Sequence, residues 1–82
     1  MSFVLDTSTT MAWLFEDEAI PESEAALDRL GEEEALVPSL WPYEVANVLV
    51  AAERRKRISE AQTRQFLGLL ESLPIRVVTN AP

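Results

Sequence analysis

Apolar residues follow two rhythms along this chain, short unbroken runs and longer stretches in which they recur at intervals of three and four. Phe3, Val4 and Leu5 form the first run and predict a short buried strand. Thr7 to Phe15 follows, with Met11, Ala12, Trp13 and Leu14 as its apolar part, and predicts a helix that gives way to the acidic group Glu16, Asp17 and Glu18. Pro21 suits a helix start, and Glu22 to Leu30 carries acids early, Arg29 late and Gly31 just beyond, so a second helix is predicted there. Ala35 to Pro38 is short, apolar and closed by proline, which predicts a second strand. From Ser39 to Arg57 the positions Trp41, Val45, Val48, Leu49 and Ala52 keep the helical period and predict a third helix. Ser59 and Gln62 make a capping-box pair, opening a fourth helix with Phe66, Leu69, Leu70 and Leu73 on one face. Pro74 stops it, and Ile75 to Thr79 reads as a third strand.

The resulting order, β-α-α-β-α-α-β, belongs to the α/β class, because strands separated by helices pair in parallel through right-handed crossovers. In such sheets ligands collect beyond the carboxyl ends of the strands. Asp6 stands at that place, where the first strand hands over to the first helix. From position alone it reads first as the cap of that helix, with a ligand as the alternative. Glu44 falls in the first turns of the third helix, at the same edge of the sheet, where the helix dipole favours an acid. Asn47, three residues on, shares its side of the helix.

Composition narrows the chemistry. The 82 residues contain no cysteine and no histidine, which removes disulfides, Cys/His zinc sites, thiol nucleophiles and histidine-based hydrolysis. Metal chemistry would therefore use carboxylates, and two oxygen ligands at a sheet edge suit Mg²⁺ or Mn²⁺. Fourteen acids against seven bases give a net charge of −7, so whole-molecule charge does not attract nucleic acid. The bases are nonetheless concentrated, with Arg54, Arg55, Lys56 and Arg57 in a row, as a solvated helix end or a phosphate-contact patch. Trp13 and Trp41 sit on apolar faces and are expected to pack rather than to stack on bases. The sequence has neither a cationic leader nor an apolar run of about 20 residues, so a cytoplasmic protein without a membrane span is expected.

Three stretches together, F-V-L-D-T-S-T-T-M-A-W-L-F-E-D-E, V-P-S-L-W-P-Y-E-V-A-N-V-L-V-A-A-E-R-R-K-R and L-P-I-R-V, resemble the N-terminal part of a PIN-domain ribonuclease, most closely a VapC-type toxin of a toxin–antitoxin pair. The resemblance covers the whole chain. It implies a PIN-like three-layer α/β/α fold with a short parallel sheet, in which residues 1–82 are the N-terminal portion of a single PIN domain and its C-terminal part is missing. It also implies a metal-dependent endoribonuclease in which Asp6 and Glu44 bind Mg²⁺ or Mn²⁺, Ser8 assists beside them and Asn47 supports them from the third helix. RNA substrate, a cognate antitoxin and a homodimer are the partners it implies. Because the family's remaining acids follow the third strand, this chain alone is expected to bind metal poorly and to be weak or inactive. The first strand would then be an unpaired apolar edge, and Met11 to Leu14 would be uncovered. The alternative is a non-catalytic PIN-derived fragment that works through protein–protein binding, to an antitoxin or a toxin dimer. A haloacid-dehalogenase-type phosphotransferase also starts with an aspartate after a strand, but it normally carries a second aspartate two positions on, where this chain has Ser8.

Overall fold

The apolar runs become three parallel strands and the periodic stretches become four helices. The computed structural model describes residues 1–79, so the last three positions of the expected 1–82 domain lie outside it. In chain order the elements are β1 (Ser2–Val4), α1 (Thr7–Ala12), a 3₁₀ turn (Glu16–Glu18), α2 (Pro21–Arg29), β2 (Glu34–Pro38), α3 (Trp41–Arg54), α4 (Glu60–Ser72) and β3 (Ile75–Val78). Both strand pairings are parallel, and the strands lie side by side in the order β1-β2-β3. Phe3 stands opposite Ala35 and Ala35 opposite Ile75, which fixes the register.

Several boundaries differ from the sequence reading, each for a tertiary reason. α1 ends at Ala12 rather than Phe15. Beyond it the chain tightens, with Trp13 and Leu14 donating to carbonyls three residues back, while the Trp13 indole donates to the Ser23 carbonyl at 2.7 Å. α3 ends at Arg54 rather than Arg57, because Lys56 takes a left-handed conformation (φ 59°) and the Arg57 N–H reaches back to the Ala52 carbonyl at 2.9 Å. Leu69 is 42 % exposed, off the packed face of α4 that holds Phe66 and Leu70. The α4 capping box forms as expected, with Ser59 and Gln62 each bonding the other's backbone N–H. Met11 and Ala12 are buried and Trp13 and Leu14 half-buried, so the expectation that α1 lies uncovered is overturned.

The left-handed Lys56 gives a first test, since a side chain in that conformation costs roughly 1–2 kcal/mol that glycine avoids. Part of the gain is lost to the greater freedom of glycine in the unfolded chain. Lys56→Gly is expected to raise the unfolding free energy by about 0.5–1 kcal/mol in urea titration, and an unchanged or lowered value would contradict the αL ending of α3.

Layering also departs from the expected α/β/α sandwich. Strands laid side by side in sequence order, joined by right-handed crossovers, bring every connecting helix to one face of the sheet. The core accordingly joins Leu5, Ala35 and Val37 from that face to Met11, Phe15, Leu30, Trp41, Val45, Leu49, Phe66 and Leu70, with Phe3 and Ile75 packed against it. The other face presents Val4, Leu36, Pro38 and Val78 at one end and the ion pair Arg76–Glu34 (3.0 Å) at the other, and no helix covers it among the described residues. Val4 is 79 % exposed. Among the described residues two layers are present where three were expected, and β1 is an edge strand.

Candidate functional site

Asp6 follows β1 by two residues and caps α1. Its Oδ1 accepts the Thr9 backbone N–H at 2.7 Å and the Ser8 hydroxyl at 3.2 Å. The aspartate beyond β1 is thus the cap that its position suggests, which leaves its second oxygen to account for. Among the hydrogen bonds of the described residues none ends on Oδ2. The Thr9 amide, then the Thr9 side chain and the Ser8 hydroxyl, hold the Asp6 carboxyl below the ordinary carboxylate range, and this outweighs the opposing effect of its slight burial. Asp6 is therefore an anion at neutral pH.

Glu44 stands in the first turn of α3, which leaves β2 at the same edge of the sheet. Asp6, Ser8 and Glu44 line one open cleft of about 570 Å³, floored by Met11, Trp41 and Val48. Asn47 is exposed and is not among the residues lining this cleft, where Val48 occupies the position one helical turn after Glu44. Glu18, which the sequence presents only as part of an acidic helix stop, also lines the cleft. The 3₁₀ turn carries it there.

That turn is held by Arg57. The guanidinium lies over the Phe15 ring at 4.2 Å and donates to Asp17 at 3.2 Å and to Glu18 at 3.4 Å. All four bases of this run are exposed, and Arg57 is the one that makes these ion pairs. Ten residues of helix separate Glu44 from Arg54, about 15 Å along the axis, so these cations stand beyond the cleft and not inside it. The two indoles are packed as expected, Trp41 buried and Trp13 half-buried.

Asp6, Thr7, Ser8, Glu18 and Glu44 give the cleft oxygen donors, three of them carboxylates, which suits a hard divalent cation. Among the described residues no three carboxylates converge closely enough to hold an ion by themselves. A pair of them leaves most of an octahedral shell to water, the mode in which Mg²⁺ is commonly held. Among the described residues no helix is long and apolar enough to cross a membrane. Compared with protein-family models, with curated proteins and with solved structures, the chain matches none. What defines it is therefore its own geometry, a two-layer parallel α/β unit with an acidic cleft beyond the carboxyl ends of β1 and β2.

Proposed function

We propose that the chain is the catalytic-site portion of a PIN-like, VapC-type endoribonuclease toxin that depends on Mg²⁺ or Mn²⁺. The observation that carries this reading is the shared cleft: Asp6 and Glu44, 38 positions apart in the sequence, line the same cavity with Ser8 of the first turn of α1. Asp6 and Glu44 would hold the cation. When bound, it supplies the charge neutralisation that a scissile phosphate needs in an anionic cleft. The Ser8 hydroxyl and Thr9 amide keep the Asp6 carboxylate ionised and fix its rotamer, leaving one oxygen for a ligand. Exposed Arg54, Arg55 and Lys56 offer phosphate contacts a short run of nucleotides away.

Cleavage is expected to be slow, because two carboxylates bind the ion weakly. With single-stranded RNA and millimolar Mn²⁺, a low activity that disappears on chelation and in Asp6→Asn and Glu44→Gln supports the reading. Fast cleavage, or cleavage that survives both substitutions, would place the site elsewhere.

A second reading rests on a different observation, the sheet face with Val4, Leu36, Pro38 and Val78, uncovered among the described residues, beside the open outer edge of β1. Exposed apolar faces and open edges recruit partners. On this reading the chain works through protein binding, to an antitoxin or to a second copy as a homodimer. Sedimentation equilibrium at low micromolar concentration is expected to show a dimer or larger species that Val4→Lys returns to monomer. A well-folded monomer of the native chain would contradict it.

A further inference from the structure

We propose that Thr10 is a positioning residue for the candidate cation site, its hydroxyl setting where Asp6 and Glu44 stand relative to one another by joining the two helices that carry them. The inference rests on the metal-site reading above and adds a residue that touches neither ion nor substrate.

Thr10 is fully buried, a polar side chain within an apolar core. Its hydroxyl donates to the main-chain carbonyl of Asp6 at 2.8 Å and accepts the Trp41 indole N–H at 3.1 Å. The first bond is local, within α1. The second spans 31 positions and reaches the first residue of α3. Glu44 lies three residues further in that helix, about 60° around it, so only one turn separates the anchored indole from the carboxylate. The path from Asp6 to Glu44 thus runs through two hydrogen bonds and one helical turn.

α1 and α3 also share the apolar core, to which they contribute Met11 and Val45. Apolar burial is non-directional and tolerates sliding, whereas a hydrogen bond weakens steeply with misalignment. Valine would fill the volume of Thr10 almost as well. What the hydroxyl adds is direction, and the site has a reason to need it: Asp6, Glu18 and Glu44 are like charges lining one cleft and repel one another when no cation is present. A buried tether beneath them resists that spreading and holds the two carboxylates ready for an ion.

The test compares Thr10→Val, which removes the hydroxyl, with Thr10→Ser, which keeps it, and with Ile58→Val, a core change remote from the cleft. Residual dipolar couplings report the orientation of α1 against α3, and Mn²⁺ line broadening reports affinity at Asp6 and Glu44. Thr10→Val is expected to turn α3 against α1 and to weaken Mn²⁺ binding by about tenfold or more, the usual range for a lost supporting hydrogen bond behind a metal ligand. Thr10→Ser should restore both and Ile58→Val should change neither. Should Thr10→Val fail to fold, Trp41→Phe removes the same bond from its other end and is read in the same way. A native orientation in Thr10→Val, or an equal loss of affinity in Ile58→Val, would overturn the positioning role. Absence of Mn²⁺ binding by the native chain would instead overturn the metal-site reading, and the couplings, which need no metal, would still decide whether Thr10 sets the geometry.

Discussion

Trp41→Ala is expected to remove about 3–5 kcal/mol of folding free energy, the usual cost of deleting a large buried aromatic side chain. A chain of this size has on the order of 4–12 kcal/mol in total, so the substitution threatens the fold itself. Trp41 carries this weight because it serves three surfaces at once. It is 8 % exposed within the core formed by Met11, Val45 and Leu70, it floors the acidic cleft, and its indole is the donor to Thr10. The alanine variant loses the apolar burial and opens a cavity, while Thr10 keeps its bond to the Asp6 carbonyl. Urea unfolding measures the loss directly. A decrease below about 1 kcal/mol would mean that the start of α3 collapses onto the gap and that Trp41 is not the keystone of the core.

How much of this was open to a reader of the sequence depends on which forces act locally. The strand and helix order is legible because the punctuation is local: Gly31 after α2, the Ser59–Gln62 pair before α4 and Pro74 after it each act within a few residues. The early end of α1 is not, because it reflects the Trp13 bond to Ser23 and the Phe15 ring beneath Arg57, partners 10 and 42 positions away. Layering escapes the sequence for another reason. Alternation of strands and helices gives the crossover hand but not the order of the strands, and order alone puts all four helices on one face. Asp6 and Glu44 are legible as acids at the ends of elements, whereas Glu18 is hidden in a polar stop and reaches the cleft only through the 3₁₀ turn. Thr10 is one of four consecutive hydroxyl residues, Thr7 to Thr10, and nothing local distinguishes it.

The second large effect concerns Asp6, which serves as a cap and is proposed as a ligand, two roles that substitutions separate. Asparagine caps a helix as well as aspartate does, so Asp6→Asn should leave stability at neutral pH nearly unchanged. It removes the negative charge, however, and Mn²⁺ affinity should fall by at least about tenfold, since the loss of one of two anionic ligands is worth more than about 1.4 kcal/mol. Asp6→Ala loses the cap too and should cost about 1 kcal/mol of stability in addition. The pH dependence has a definite sign. Because the folded carboxyl titrates below its unfolded value, its contribution is fully present above about pH 4 and fades as the pH falls through the lowered folded value. Asp6→Asn should abolish that acid-side dependence while Glu44→Gln keeps it. Equal affinities for Asp6→Asn and the native chain would reduce Asp6 to a cap.

The central claim, that Asp6 and Glu44 share one cation site, is tested most directly by paramagnetic line broadening in the native chain titrated with Mn²⁺. The expected result is broadening centred on Asp6 to Ser8 and on the first turn of α3 around Glu44, at the same Mn²⁺ concentration, reversed by chelation and weakened in both Asp6→Asn and Glu44→Gln. Broadening confined to one of the two segments, or spread over the exposed acids Glu22, Glu24 and Asp28 of α2 at equal strength, would contradict it.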